Sequence, residues 1–211
     1  ECLLDNNVVE NVSIISIVGM VGLGKTTLAQ LIYNDKIVSK TYELKLWICV
    51  SSNFDVKQIV KAILEHLIDE KLKESLEILQ TQLREKLNGK KYLLVLDDLW
   101  NEDNNKWFLL KNLLMVGARG SRIIVTTRSE KVAMIIGTTS CYPLKGLTKK
   151  KAWSLFVKIA FEQGQEPENQ ALVSLGEEVM NNCAGVPLVI RTIASLLRSK
   201  TSENEWLSFK N

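Results

Sequence analysis

The sequence predicts a doubly wound α/β fold in which five parallel strands alternate with helices, followed by a smaller all-helical subdomain. Three observations carry this. Five short apolar runs rich in β-branched residues are separated by segments whose apolar residues recur at helical spacing. A glycine-rich turn joins the first run to the first helix. From Thr148 onward strand-like runs cease and only helical periodicity remains. The expected boundaries are 1–147 for the α/β part and 148–211 for the helical part.

Val12-Ser-Ile-Ile-Ser-Ile-Val18 is the first strand and Lys25 to Tyr33 the first helix. Leu44-Lys-Leu-Trp-Ile-Cys-Val50 has the length and β-branched content of a second strand. In the helix after it, Asp55 is the cap with Gln58 three residues on, and Phe54 can staple to Ile59. Val56, Ile59, Val60, Ile63, Leu64, Leu67 and Ile68 then form one apolar stripe, and His66 falls off it, toward solvent. Leu76, Leu79, Leu83 and Leu87 mark another helix, ended by Asn88-Gly89, before Lys91–Asp97 returns to the sheet. Asn105–Met115 reads as helix, Arg122–Thr127 as strand, Ser129–Ile136 as a short helix and Cys141–Leu144 as a short last strand. Lys149–Phe161, Glu168–Cys183 and Val186–Leu197 are the later helices, and Glu205-Trp-Leu opens one more.

Composition narrows the function classes. Apolar residues at 46% and charged residues at 24% are ordinary for a globular chain with a well-buried core. A net charge of +3 is too small and scattered to argue for nucleic acid, and Lys149-Lys150-Lys151 reads as a solvated helix start. Cys2, Cys49, Cys141 and Cys183 are far apart and read as small buried hydrophobes, which implies a reducing, cytoplasmic setting. With His66 as the single histidine, a His-rich metal centre is excluded, as is any Ser-His-Asp triad needing a second one. No run of eighteen apolar residues is present to span a membrane, and no secretory signal is visible. Without an initiator methionine the chain is expected to be a piece of a longer protein.

The turn Gly19-Met-Val-Gly-Leu-Gly24-Lys25-Thr26 fits Gly-x-x-x-x-Gly-Lys-Ser/Thr, with a strand before it and a helix after it. Glycines let successive backbone N–H groups turn inward onto phosphate, and the helix start adds its positive dipole end. Gly19, Gly22, Leu23, Gly24, Lys25, Thr26 and Thr27 make up the expected nucleotide-binding stretch, although Thr27 taken alone reads as ordinary helix. Lys25 is expected at the β- and γ-phosphates and the Thr26 hydroxyl on a magnesium ion. Leu93-Leu-Val-Leu-Asp97-Asp98, an apolar strand ending in two carboxylates, reads as a Walker B motif. Asp97 would hold the magnesium, and Asp98 stands where an acidic group would orient attacking water. Asp98 is one methylene shorter than glutamate, so turnover is expected to be slow, and Asp98→Glu should hydrolyse faster. Arg128 ends the fourth strand at the same sheet edge and could sense the γ-phosphate; on position alone a surface arginine after a strand stays open. Gly185-Val-Pro187 reads as a helix C-cap followed by a helix-starting proline.

Together these blocks resemble the NB-ARC nucleotide-binding switch of plant intracellular immune receptors, in the wider STAND class of P-loop ATPases. Further carriers of the resemblance are Leu46-Trp-Ile-Cys-Val-Ser51, Leu94-Val-Leu-Asp-Asp-Leu-Trp100, Gly120-Ser-Arg-Ile-Ile-Val-Thr-Thr-Arg128, Tyr142-Pro-Leu and Cys183-Ala-Gly-Val-Pro-Leu188. Trp100 is similar to the coiled-coil-headed receptor class; by itself it would suggest only packing. The resemblance implies ADP and ATP with Mg2+ as ligands, Arg128 as γ-phosphate sensor, Pro187 near the adenine, and an ATP-dependent homo-oligomer in the complete protein. It implies further domains as partners: a coiled-coil head, a winged helix and leucine-rich repeats. The family's upstream Gly-Arg-Glu segment and its Met-His-Asp motif have no counterpart in these residues, so weak nucleotide affinity is expected.

The expected function is therefore an ADP/ATP switch in pathogen defence, reset by slow ATP hydrolysis, that hydrolysis being the only enzymatic activity in view. Two alternatives stand beside it: a P-loop kinase acting on a small substrate, and a nucleotide-binding structural module without hydrolysis. The first needs an acceptor pocket and an arginine-rich lid, neither visible in the sequence; the second disagrees with intact Lys25, Thr26, Asp97 and Asp98.

Overall fold

The computed structural model describes residues 10–50, 54–68, 71–137, 140–161, 169–200 and 203–207. It divides into two compact units, one of residues 1–19 and 25–144, the other of residues 20–24 and 145–211.

In the α/β unit the elements run β1 (Val12–Val18), α1 (Lys25–Asn34), α2 (Lys36–Thr41), β2 (Leu44–Cys49), α3 (Val56–Ile68), α4 (Leu76–Leu87), β3 (Tyr92–Asp97), α5 (Asn104–Leu114), β4 (Ser121–Thr127), α6 (Glu130–Ile135) and β5 (Ser140–Pro143). All pairings are parallel and the strand order is β2-β3-β4-β1-β5. This is the five-stranded parallel sheet that the sequence predicts. β3 and β4 are buried at every position, as strands covered on both faces must be.

The period of two along each strand divides the core between the faces. Leu94, Leu96, Ile123 and Val125 join the cluster built with Val60, Ile63 and Leu64 of α3, Leu83 of α4 and Leu110 of α5. Leu93, Val95 and Ile124 join the opposite cluster with Ala29 of α1 and Val38 of α2. The Asp55 carboxylate accepts from the Lys57 and Gln58 N–H groups at 2.8 and 3.3 Å, so the cap read from the sequence is formed. His66 is exposed.

One element was not foreseen and one expectation is corrected. Helix α2 has no periodic signature in a six-residue span; it forms because the Asp35 carboxylate caps the Ile37 and Val38 N–H groups at 2.8 and 2.9 Å. Cys49 and Cys141 are exposed, and only Cys183 of the described cysteines is buried. The reason is strand order: Cys49 ends β2 and Cys141 lies on β5, the two edge strands. Cys2 lies outside the described residues, as does the expected helix start at Glu168.

The helical unit contains α7 (Lys149–Ala160), α8 (Gln170–Asn182), α9 (Pro187–Leu197) and α10 (Glu203–Leu207). Thr148 and Asn169 cap the first two through their side chains, and Pro187 starts the third at a position where its missing N–H is not needed. Its core brings together Ala152, Phe156, Ala160, Cys183, Ile190, Ala194, Leu197 and Trp206. Trp206 stacks on Phe161 with ring centroids 5.5 Å apart and meets Phe156 edge-on at 6.1 Å.

Candidate functional site

Parallel pairing brings the ends of β1, β3 and β4 to one edge, with Val18 in register with Thr127 and Leu96 with Val125. In such sheets the carboxyl edge is where loops gather to hold ligands. The Gly19 N–H continues the β1–β4 ladder onto the Thr127 carbonyl at 3.2 Å, and the glycine-rich turn begins there. Gly22 and Gly24 have φ of +81° and +91°, a region side chains rarely adopt, which is the conformational reason for glycine in this turn. Within the helical unit, the Leu188 N–H donates to the Gly22 carbonyl at 3.2 Å. A Cβ on Gly22 would stand 3.0 Å from both Leu188 Cβ and Val186 Cγ1. Leu23 is half-buried.

Lys25, the first residue of α1, is buried. Burial pushes its ammonium pKa below the ordinary lysine range; the Arg128 charge adds to that, while Asp98 and Asp97 oppose it. Thr26 and Thr27 are exposed on the same helix turn. The Thr26 hydroxyl donates to Asp97 Oδ1 at 3.0 Å, joining the phosphate-loop motif to the end of β3 across 71 residues of sequence.

Strand order accounts for a residue that sequence reasoning missed. β4 lies between β1 and β3, so its end stands beside the end of β3. There the buried Thr126 hydroxyl donates to Asp97 Oδ1 and accepts from the Asp98 N–H at 2.8 Å. Its carbonyl accepts the Leu99 N–H at 2.9 Å. Asp97 Oδ1 is thus held by two hydroxyls, and the chain after it turns through Asp98 at φ 59°, a conformation that Asp tolerates better than most residues. Thr126 lies in the block Gly120–Arg128 quoted for the resemblance, but its role was not assigned, because which strand borders β3 is a property of the sheet.

Arg128 leaves β4 with its Nε 3.7 Å from Asp98 Oδ1. Its guanidinium carbon lies 4.2 Å from the centre of the Trp100 ring. Lys25, Thr26, Asp97, Asp98 and Arg128, five of the residues singled out from the sequence, therefore converge in the α/β unit. Pro187 belongs to the helical unit, after a turn with Ala184 at φ 47° and Gly185 at φ 70°. The Gly185 carbonyl accepts the Leu147 N–H at 2.7 Å, an approach a side chain on Gly185 would obstruct.

Among the described residues no cluster of three or more His, Cys, Asp or Glu side chains that could hold a metal ion is present. One hydroxyl and one carboxylate in contact instead fit a hard cation that takes most of its ligands from phosphate and water, as magnesium does. No described helix is long and apolar enough to cross a membrane.

Comparison with known proteins bears on the family and the fold. The family model of the NB-ARC domain matches residues 2–166. RGA4 of Solanum bulbocastanum is 47% identical over 206 residues, which is 97% of this chain and 21% of that protein. The disease resistance protein RGA2 of the same plant is 45% identical over 208 residues, 97% of this chain and 21% of its own length. The disease resistance protein RPP13 of Arabidopsis thaliana is 37% identical, with 93% of this chain and 24% of that protein covered. The chain thus spans about a fifth to a quarter of the length of these three relatives. Two solved structures share the fold. A STAND protein with a tetratricopeptide repeat sensor from Pyrococcus horikoshii has a TM-score of 0.50 at 17% identity, covering 96% of this chain and 31% of its own. Domain III of the Thermotoga maritima replication initiation protein DnaA has a TM-score of 0.51 at 15% identity, covering 95% of this chain and 83% of its own. With a family model over most of its residues and relatives well above 30% identity, this chain belongs to the NB-ARC family.

Proposed function

We propose that the chain is the nucleotide-binding switch of a plant disease resistance receptor, ADP holding the closed form and ATP the open one. The observation that carries this reading is the contact between Thr26 and Asp97 at 3.0 Å, with Lys25 and Arg128 in electrostatic reach of one another. Residues 1–147 would form the nucleotide-binding domain and residues 148–211 the helical subdomain, with Pro187 at the adenine. Gly19, Gly22, Leu23, Gly24 and Thr27 would line the phosphates around Lys25. Thr26 and Asp97 would hold magnesium, which neutralises the charge of the β- and γ-phosphates when bound. Asp98 would orient the attacking water, and Arg128 would pair the γ-phosphate that only ATP carries.

Moving such a switch from 1:99 to 99:1 takes about 5.5 kcal/mol of discrimination between the two states. Arg128 supplies part of it, and the further receptor domains supply the rest. The complete receptor would be cytoplasmic, and would oligomerise in its ATP form. The test is the nucleotide released on denaturing the purified protein, beside a Lys25→Arg control. Copurified ADP, lost in the control, supports the switch. A wild-type chain that holds no nucleotide and is stabilised thermally by neither ADP nor ATP overturns it. Phosphate transferred to an acceptor other than water would favour the kinase alternative.

A further inference from the structure

We infer that Trp100 is a positioning residue for Arg128, holding the guanidinium where it meets the terminal phosphate of the nucleotide. The inference rests on the reading of Arg128 given above. Trp100 follows the fully buried Leu99 yet is itself 42% exposed. Core packing therefore does not account for a tryptophan here. What the ring does contact is the Arg128 guanidinium, 4.2 Å from its centre to the guanidinium carbon, within the range where a cation is attracted to the ring face. Asp98 contributes a second restraint on the same side chain at 3.7 Å.

The backbone leading into Trp100 is tied to one residue of β4. The Thr126 hydroxyl accepts the Asp98 N–H at 2.8 Å and its carbonyl accepts the Leu99 N–H at 2.9 Å. The segment leading to Trp100 is thus fastened to β4 two residues before Arg128 leaves that strand. The ring and the guanidinium are presented to each other by hydrogen-bonded backbone, on adjacent strand ends.

An arginine side chain has large rotamer freedom, and ordering it on a ligand costs affinity. A planar platform that orders it beforehand reduces that cost. ADP lacks the phosphate that Arg128 pairs, so the platform raises affinity for ATP and leaves ADP unaffected. At a half-exposed site the attraction corresponds to about two- to fivefold in affinity.

The test is calorimetric titration of this 211-residue chain with Mg-ADP and with a slowly hydrolysed Mg-ATP analogue. Wild type, W100A, W100F, R128A and the W100A/R128A double variant are compared, each with its melting temperature. The expected result is a two- to fivefold loss of the ATP analogue in W100A, unchanged ADP, recovery of most of the loss in W100F, and no further loss when W100A is added to R128A. Equal loss of both nucleotides, or loss of the same size in the R128A background, overturns the role of Trp100. So does unchanged binding by W100A while R128A loses its preference for the ATP analogue, an outcome that leaves the reading of Arg128 standing. If R128A keeps the wild-type ratio, or the wild type binds neither nucleotide, the reading of Arg128 falls and this inference with it.

Discussion

The Thr126 hydroxyl donates to Asp97 Oδ1 from the neighbouring strand, and the same oxygen atom accepts the Asp98 N–H. One fully buried side chain therefore fixes the Asp97 carboxylate and the turn that begins after it. Thr126→Val keeps the shape and removes both bonds. It leaves the Asp98 N–H and a carboxylate oxygen short of a partner, at a cost of about 1–3 kcal/mol. Urea unfolding should register that loss, and a magnesium titration of ATP binding should show weakened dependence on the metal. Thr126→Ser should restore both, and a valine variant as stable as wild type would contradict the account.

Burial lowers the pKa of Lys25 below its ordinary value of 10.5, so the folded chain holds that proton less tightly than the unfolded one. Stability gained by deprotonating Lys25 therefore appears as pH rises through the depressed value toward 10.5, and below that window the charged group is a net cost. Lys25→Met should be more stable than wild type at pH 7 without nucleotide, and the advantage should shrink as pH approaches 10. Nucleotide should no longer raise its melting temperature. An advantage that grows with pH would reverse the sign of this argument.

Asp98 at φ 59° constrains what can replace it. Asparagine tolerates this left-handed backbone nearly as well, so Asp98→Asn removes the charge with little strain. Slow ATP hydrolysis should fall at least tenfold while the melting temperature stays within a few degrees. Asp98→Glu extends the carboxylate and adds backbone strain, so its melting temperature is read beside its rate. Hydrolysis no faster than wild type would count against Asp98 being limited by its length.

Gly185 combines φ 70° with close approach to the Leu147 backbone. Gly185→Ala should destabilise the chain by at least 1–3 kcal/mol, the approximate cost of left-handed strain in a non-glycine residue. The reading is a shift of the thermal midpoint followed by helical circular dichroism. A shift under a degree would show that the turn relaxes without difficulty.

Trp206 is buried against Phe161 and Phe156 in the short helix α10, and its Nε1 donates to the Lys200 carbonyl at 3.1 Å. Trp206→Ala should cost about 3–5 kcal/mol, the range for emptying a buried aromatic site. A lowered thermal midpoint followed by far-ultraviolet circular dichroism registers that loss. A midpoint unchanged by the substitution would mean that α10 adds nothing to this core.

Where periodicity or a motif was strong, the sequence was legible. The apolar run Tyr92–Leu96 between turn signals read as a strand and is one, and the stripe from Val56 to Ile68 read as a helix with one apolar face and is one. Lys25, Thr26, Asp97 and Asp98 were singled out from strand ends and spacing and Arg128 through the resemblance, and the structure brings the five together at one edge of the sheet. Helix α2 was not legible, since six residues are too few to show a period and its stability rests on the Asp35 cap. The exposure of Cys49 and Cys141 was not legible either, since an apolar run looks alike on a central strand and on an edge.

By itself the sequence determined the alternation of strands and helices, the glycine-rich turn and the carboxylate pair, since these follow from local periodicity and backbone chemistry. Only the tertiary structure decided that β4 stands between β1 and β3, that Thr126 therefore holds Asp97, and that Trp100 meets Arg128. The physical reason is that strand order is set by which faces bury the most apolar surface together. That sum runs over residues far apart in the chain, and no local pattern records it.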